Sequence, residues 1–428
     1  MSIVEKAQPA AEKNGADAHP RPRASVAPRP GRRVLAPTAA FTAAAAGFAA
    51  LYLAAGAPSP LFLVLERQWD FPAWVLTVAF AIYAIALLAA LLVGGALSDH
   101  IGRRPVIIGS LVVETVAMLI FVFAPDIGWV IVARAVQGLA TGVATSAFTA
   151  ALVELAPAHL KRLGGVIGGA APAGGLALGA LLTGFAVQFA PMPTLLVFGI
   201  LAAVMVASTV LMVFAPETVP GRPGALRSLV PRIAIPRAAR PEFAAGVPVV
   251  LAAWMLAGLF IALAPLIVRD VFGIDSGAID GATAFVEPAA AAVAAILLGS
   301  VAARRASLIG SAGVLVGAVM IVAGVAAGWL PLFVVGGIVG GVGFGASFSG
   351  MLRAVGPFAA AEQRAELFAG VFLVAYLGFG VPSIIAGQLI GPLGLLATVL
   401  LYGLAILLVA LVGLAAQTRL ARAARAAR

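Results

Sequence analysis

The chain of 428 residues contains no cysteine, which excludes disulfides, thiol catalysis and thiolate-bound metal. Its three histidines, His19, His100 and His159, have no metal-ligand spacing and form no His-Glu-x-x-His pair, so no zinc-protease chemistry is written here. Lysine occurs only as Lys6, Lys13 and Lys161, preceded by Glu, Glu and Leu. A phosphate-binding Gly-Lys-Ser/Thr loop is therefore missing, and an ATP-driven pump within this chain is excluded. A serine–lysine dyad lacks its intramembrane lysine. Charge is scarce as well. Charged residues make up 10% of the chain, against about 25% in soluble domains, which rules out a soluble globular protein.

What is abundant is apolar length. Hydrophobic residues supply 62% of the chain and the mean hydropathy is +1.11. A spanning helix needs about 20 mostly apolar residues. That ruler predicts twelve spans near 38–64, 74–97, 105–124, 127–153, 163–189, 193–214, 244–268, 280–302, 306–327, 330–353, 366–390 and 393–416. The continuous apolar runs exclude a β-barrel, whose strands alternate over about 10 residues. The predicted fold class is an all-α membrane protein of twelve transmembrane helices in two pseudo-symmetric six-helix bundles.

The net charge of +10 raises a nucleic-acid reading that its distribution rejects. Of the 27 Lys and Arg residues, all but three lie in the tails or beside the loops after predicted helices 2, 4, 6, 8 and 10. Arg67 and Arg269 lie in the opposite loops and Arg134 within a helix. This asymmetry is the positive-inside pattern. It predicts a multi-pass protein of an inner or plasma membrane with both termini cytoplasmic, whose partner is the lipid bilayer and not nucleic acid. The chain is expected to act as a monomer. Residues 1–36, rich in Pro, Ala and Arg, carry no apolar signal sequence and are expected to form a disordered cytoplasmic tail.

The longest polar interruption carries Arg222, Arg227, Arg232, Arg237 and Arg240. It predicts two bundles, 37–216 and 244–416, joined by a basic linker at 217–243 and followed by a basic tail at 417–428. Internal similarity supports a duplication. Gly138 and Gly142 precede Ser146, Pro157, Arg162, Gly179 and Gly184; Gly341 and Gly345 precede Ser347, Pro357, Arg364, Gly380 and Gly387. The four-residue repeats Gly165/Gly169, Gly175/Gly179 and Gly337/Gly341/Gly345 predict close helix packing, and in predicted helices 5 and 10 an alternative sliding surface.

Between predicted helices 2 and 3 runs Gly95-Ala-Leu-Ser-Asp99-His-Ile-Gly102-Arg103-Arg104. The spacing G-x-x-x-D-x-x-G-R-R resembles the signature loop of the major facilitator superfamily of secondary transporters. Arg134-Ala-Val-Gln137-Gly138, with Gly142 following, resembles its helix-4 motif, and Pro216-Glu217-Thr218 its closure of helix 6. Gly179-Ala-Leu-Leu-Thr-Gly184 is similar to the helix-5 motif of drug:proton antiporters, with Ala180 in place of the expected proline and Thr183 in place of the first paired glycine. The second copy of the loop, Gly299…Arg304-Arg305, lacks its aspartate. The resemblance covers 38–416. It implies that Gly95, Asp99, Gly102, Arg103 and Arg104 latch the cytoplasmic side, with Glu154 a candidate partner for either arginine; the alternative is a purely topological role.

Three ionisable side chains fall inside predicted spans, Glu114, Arg134 and Glu287, each costing about 2.5–3.5 kcal/mol at mid-bilayer. Counting about 1.5 Å per residue sets Arg134 and Glu287 at similar depth, where they are expected to meet if both face the cavity. The resemblance places helices 1, 4, 7 and 10 around that cavity, 2, 5, 8 and 11 beside it and 3, 6, 9 and 12 outside, which favours Arg134, then Glu287, over Glu114. Glu287 is then the coupling carboxylate, or else an outer-end carboxylate open to water in the same stretch as Asp280; Glu114 is a coupling group or a satisfied interhelical hydrogen bond. Gln137, Tyr52, Trp254, Phe344, Phe348 and Tyr376 are the other cavity candidates, and Pro58, Pro60 and Pro265 are expected to break or kink helices 1 and 7. An aromatic, charge-poor cavity predicts an amphipathic organic substrate. The expected function is proton-coupled efflux of such a compound, with no cofactor, no metal and the proton gradient as driving force. Uptake or facilitated diffusion of a small metabolite is the alternative, and an intramembrane enzyme the remote one.

Overall fold

The computed structural model describes residues 34–360 and 363–426. Lys6, Lys13, His19 and most of the expected 1–36 tail lie outside the described residues, as do 427–428 of the expected 417–428 tail. Twelve helices are long and apolar enough to cross a membrane, and there is no strand among the described residues. They are α1 (Pro37–Trp69), α2 (Trp74–Gly94), α3 (Arg103–Phe123), α4 (Ile127–Leu155), α5 (Ala158–Phe189) and α6 (Pro193–Val213). After the polar linker follow α7 (Arg237–Asp270), α8 (Gly277–Leu297), α9 (Ala303–Ala326), α10 (Leu330–Phe358), α11 (Arg364–Leu393) and α12 (Leu395–Ala423). Only helices satisfy every backbone group within each span. The last helix continues to Ala426, beyond the expected limit at 416.

Missing side chains set the packing. A Cβ on Gly138 or Gly142 of α4 would strike the carbonyls of Tyr83 or Leu87 of α2; one on Gly341 or Gly345 of α10 would strike those of Glu287 or Ala291 of α8. The same seam is thus built twice, with Ala86 and Ala90 beside the first copy and Ala290 and Ala294 beside the second. The duplication read from the glycines is a duplication of packing, and it makes Tyr83 and Glu287 equivalent positions. Gly179 of α5 meets the Leu53 carbonyl of α1, and Gly56 of α1 meets that of Leu176.

The first six spans meet the last six along two further seams. In one, Gly184 of α5 lies against Gly277 and Gly281 of α8; in the other, Gly387 of α11 lies against Thr77 of α2. The prolines act where expected. At Pro58 and Pro60 the chain steps without turning away, since Ala57 stays right-handed helical (φ −57°, ψ −36°). Pro58 occupies the first turn of the next segment, where its absent N–H costs nothing. In α7 a π-turn spans Leu259–Leu263. Pro265 has no N–H to offer the carbonyl four residues earlier, and Ser59 Oγ supplies the missing donor to Ile261 O at 2.7 Å.

Candidate functional site

The 95–104 loop is built on two special positions. Gly102 has φ +103°, and a Cβ there would lie 2.5 Å from the Glu217 carboxylate. That carboxylate accepts from the backbone N–H of Arg103 (2.9 Å) and Arg104 (3.2 Å), which begin α3 with no capping side chain of their own. Glu217 therefore caps α3 from across the bundle. Arg103 bonds Asp99 (2.5 Å), Ser98 (2.7 Å) and Glu154 (3.3 Å), and Glu154 accepts from Thr218 Oγ1 (2.5 Å). Arg104 Nη1 reaches the Ala215 carbonyl at 3.4 Å, and Gly95 ends α2. Every one of these partners lies in the first six spans, the loop between α2 and α3 or the segment leaving α6. In the second copy, where the aspartate is missing, Arg304 pairs with Glu242 at the start of α7. Arg353 holds the end of α8 through the carbonyls of Leu298 (3.2 Å), Gly299 (2.9 Å) and Val301 (2.5 Å).

A buried polar chain links α1 to α4. Arg134 is 1% exposed and Glu114 is 0% exposed. Arg134 donates to Gln137 Oε1 (2.5 Å), Ala55 O (3.2 Å) and Ala79 O (3.3 Å), and Gln137 Nε2 donates to Glu114 Oε1 (3.0 Å). The guanidinium also lies over the rings of Tyr83 (4.1 Å) and Phe80 (5.5 Å), a cation–π arrangement that strengthens with desolvation. The expected meeting of Arg134 with Glu287 is not made, because three acceptors and two rings of its own bundle already surround the arginine. Glu114 is instead the member that joins it, through Gln137.

Glu287 is not open to water at the outer end. It is 1% exposed and Asp280 is 4% exposed, and one carboxylate oxygen of each has no hydrogen-bond partner. The four aromatic candidates of the last six spans converge. Trp254 lies 5.3 Å from Phe344, 5.5 Å from Phe348 and 4.8 Å from Tyr376, with Phe379 at 6.2 Å and Phe372 beside Phe348. Trp254 Nε1 is buried without a partner. Tyr52 belongs to the other bundle, its hydroxyl 2.8 Å from Thr145 Oγ1 and its ring edge-on to Phe48. Tyr376 packs near Tyr83 and so touches the first bundle.

The two faces differ. On the face opposite the 95–104 loop, Arg269 pairs with Glu66 (2.6 Å) and Arg67 with Asp275 (2.5 Å), and Ser276 donates to Gln188 (2.9 Å). Each contact joins the first six-span half to the second. The Arg67 hydrogen bond holds the Asp275 carboxyl below the usual carboxylate range. On the loop face a cavity of about 590 Å³ opens between Leu92, Ser146, Arg227, Arg232, Glu366 and Phe372. The ion pairs that join the two halves therefore lie at the end away from this cavity. No group of three or more His, Cys, Asp or Glu able to hold a metal occurs among the described residues.

Residues 40–324, more than half of the chain, match the Major Facilitator Superfamily. The chain belongs to that superfamily. Its fold is shared with the xylose transporter XylE from E. coli in a partially occluded inward-open conformation (TM-score 0.66, 14% identity, 88% of this chain and 96% of that one). It is shared also with a mutant of the peptide transporter POT in complex with alafosfalin (TM-score 0.68, 16% identity, 90% and 94%). A D-xylose transporter of Levilactobacillus brevis is 30% identical over 107 residues, covering 25% of this chain and 23% of that protein.

For a superfamily member, the loop spacing pointed to Asp99, Gly102 and the arginines, but not to Glu217 as the anion that receives them. Tyr83 carried a faint signal as one of only four tyrosines. Glu66 and Ser59 carried none, since their partners lie about 200 residues away in sequence.

Proposed function

We propose that the chain is a secondary transporter that exports a small apolar or amphipathic organic solute in exchange for protons, in the manner of the drug:proton antiporters. The arginine-rich face lies in the cytoplasm by the charge rule, so the cavity open to it is the loading side. The paired seams let the two six-helix bundles rock about the centre, and the Asp99–Arg103–Glu154 cluster closes the cytoplasmic face when the outer pairs part.

The observation that carries the substrate class is the Trp254 cluster, in which four aromatic rings lie within 6.2 Å of the indole. Aromatic faces bind flat apolar or cationic organic groups. A sugar requires a partner for each buried hydroxyl, and this chain has a single asparagine, Asn14, while Gln137 is already bound to Arg134 and Glu114. A second reading, sugar uptake, is favoured by the D-xylose transporter relative.

Proteoliposomes with an imposed pH gradient separate the two. Gradient-driven accumulation of ethidium, reduced about tenfold by Trp254→Ala, is the expected result. D-xylose exchange in liposomes that ignore ethidium would replace this reading with the second.

A further inference from the structure

Three polar side chains stand on one stripe of the otherwise apolar α8: Asp280, Thr283 and Glu287. Residues three and four apart are neighbours on a helix surface, and seven residues advance about 10 Å along the axis while returning to the same face. All three are buried, Thr283 at 2% exposure. One oxygen of Asp280 and one of Glu287 lack any hydrogen-bond partner. Thr283 stands between them, donating to the carbonyls of Ile279 and Asp280 at 2.9 Å and leaving its oxygen free to accept.

The duplication explains why Glu287 stands alone. Its equivalent in the first bundle is Tyr83, which lies beneath the Arg134 guanidinium. In the second bundle the position matching Arg134, four residues before the seam glycine, is Gly337, packed against the Phe260 ring. The second copy therefore holds a carboxyl where the first holds a tyrosine, and no cation where the first holds arginine.

The elements packed on α8 bring few charges. The second segment of α1 carries Glu66 and Arg67, the end of α7 carries Arg269 and Asp270, and the preceding loop carries Asp275; all lie at the closed face, near Asp280. The π-turn of α7 has none. The charges of α5 and α10, Lys161, Arg162 and Arg353, sit at the far ends of those helices. An ionised carboxylate in such surroundings needs a cation. A proton satisfies it alone, whereas sodium requires a shell of oxygen ligands.

We propose that Asp280, Thr283 and Glu287 form a proton path down one face of α8, from the face closed by the Arg67–Asp275 and Arg269–Glu66 pairs to a station in the core. Asp280 is the outer station. Parting of the pairs withdraws Arg67, which belongs to the other bundle, and opens Asp280 to water. A proton taken up there passes by way of the Thr283 hydroxyl to Glu287. This rests on the proton-coupled reading above, and its test requires no transported solute, so either can fail without the other.

The test is infrared difference spectroscopy after a pH jump on the full-length protein in nanodiscs. Wild type should show protonated-carboxyl bands that bleach on alkalinisation, those of Asp280 and Glu287 among them. Glu287→Gln should remove one band and Asp280→Asn another. Asp280→Asn should also slow the Glu287 bleach about tenfold, with Asp280→Glu restoring it; monodisperse elution of each variant establishes folding. An unchanged Glu287 rate in Asp280→Asn, or no titrating band lost in Glu287→Gln, would overturn the path. A band displaced by sodium at constant pH would replace the proton with a metal cation.

Discussion

Arg269 of α7 lies 2.6 Å from Glu66 of α1, and the two are 22% and 16% exposed at their side chains. Next to them Arg67 reaches Asp275. These two arginines are the exceptions to the charge asymmetry of the loops, and each bonds a carboxylate of the opposite six-span half. They tie together the face opposite the 95–104 loop.

Reversing one charge should open it. Since the chain has no cysteine, a single cysteine at the buried Ala264 serves as reporter for a membrane-impermeant maleimide. Arg269→Glu should raise its labelling rate about tenfold, equivalent to about 1.4 kcal/mol, and Glu66→Arg in the same protein should bring the rate back. A double variant as reactive as the single one would mean that the pair does not hold the face.

The neighbouring pair sets a pH limit. Asp275 titrates below its ordinary value of 3.8 because Arg67 bonds its charged form. A depressed folded-state value gives a contribution that is fully present above the ordinary value and lost as pH falls through the depressed one. Closure through this pair should thus be constant from neutral pH down to the ordinary aspartate value. Asp275→Asn should match wild type only in stronger acid. The distance between spin labels at Gln68→Cys and Ser276→Cys, compared in Asp275→Asn and wild type across pH, reads this directly.

The Arg134–Gln137–Glu114 chain is the main buried polar network of the first bundle. Arg134→Ala should lower stability by about 3–5 kcal/mol, since it strands the groups that the arginine satisfied. Glu114→Gln should cost about 1–3 kcal/mol. Thermal unfolding in detergent gives both, and Gln137→Ala combined with Arg134→Ala should be far less than additive. Additive losses would show that Gln137 does not couple the two.

The glycine stripes divide under the same measurement. A Cβ on Gly165 meets nothing within 4 Å, so Gly165→Ala should be neutral or stabilising by up to about 1 kcal/mol. Gly179→Ala would press on the Leu53 backbone and should cost about 1–3 kcal/mol. Equal effects would remove the packing account of the α1–α5 seam.

Span number and the duplication were legible because apolar length and glycine spacing are local signals. The loop cluster was half legible: Asp99, Arg103 and Arg104 follow from spacing, but Glu217 comes from more than a hundred residues away. Depth counting placed Arg134 level with Glu287 and could not tell which way either side chain points. Tertiary packing decided that, giving the arginine Gln137, Tyr83 and two carbonyls of its own bundle. The prolines marked where α1 and α7 yield, while the Ser59 hydroxyl that completes the break in α7 had no sequence signature.

The central claim is that one face closes as the other opens. Pairs of spin labels test it most directly, one pair at Gln68→Cys and Ser276→Cys on the closed face and another at Ala96→Cys and Ala365→Cys on the cavity face. Acidification in nanodiscs should lengthen the first distance and shorten the second in one shared transition. Two distances that stay fixed, or that change in the same direction, would contradict alternating access in this chain.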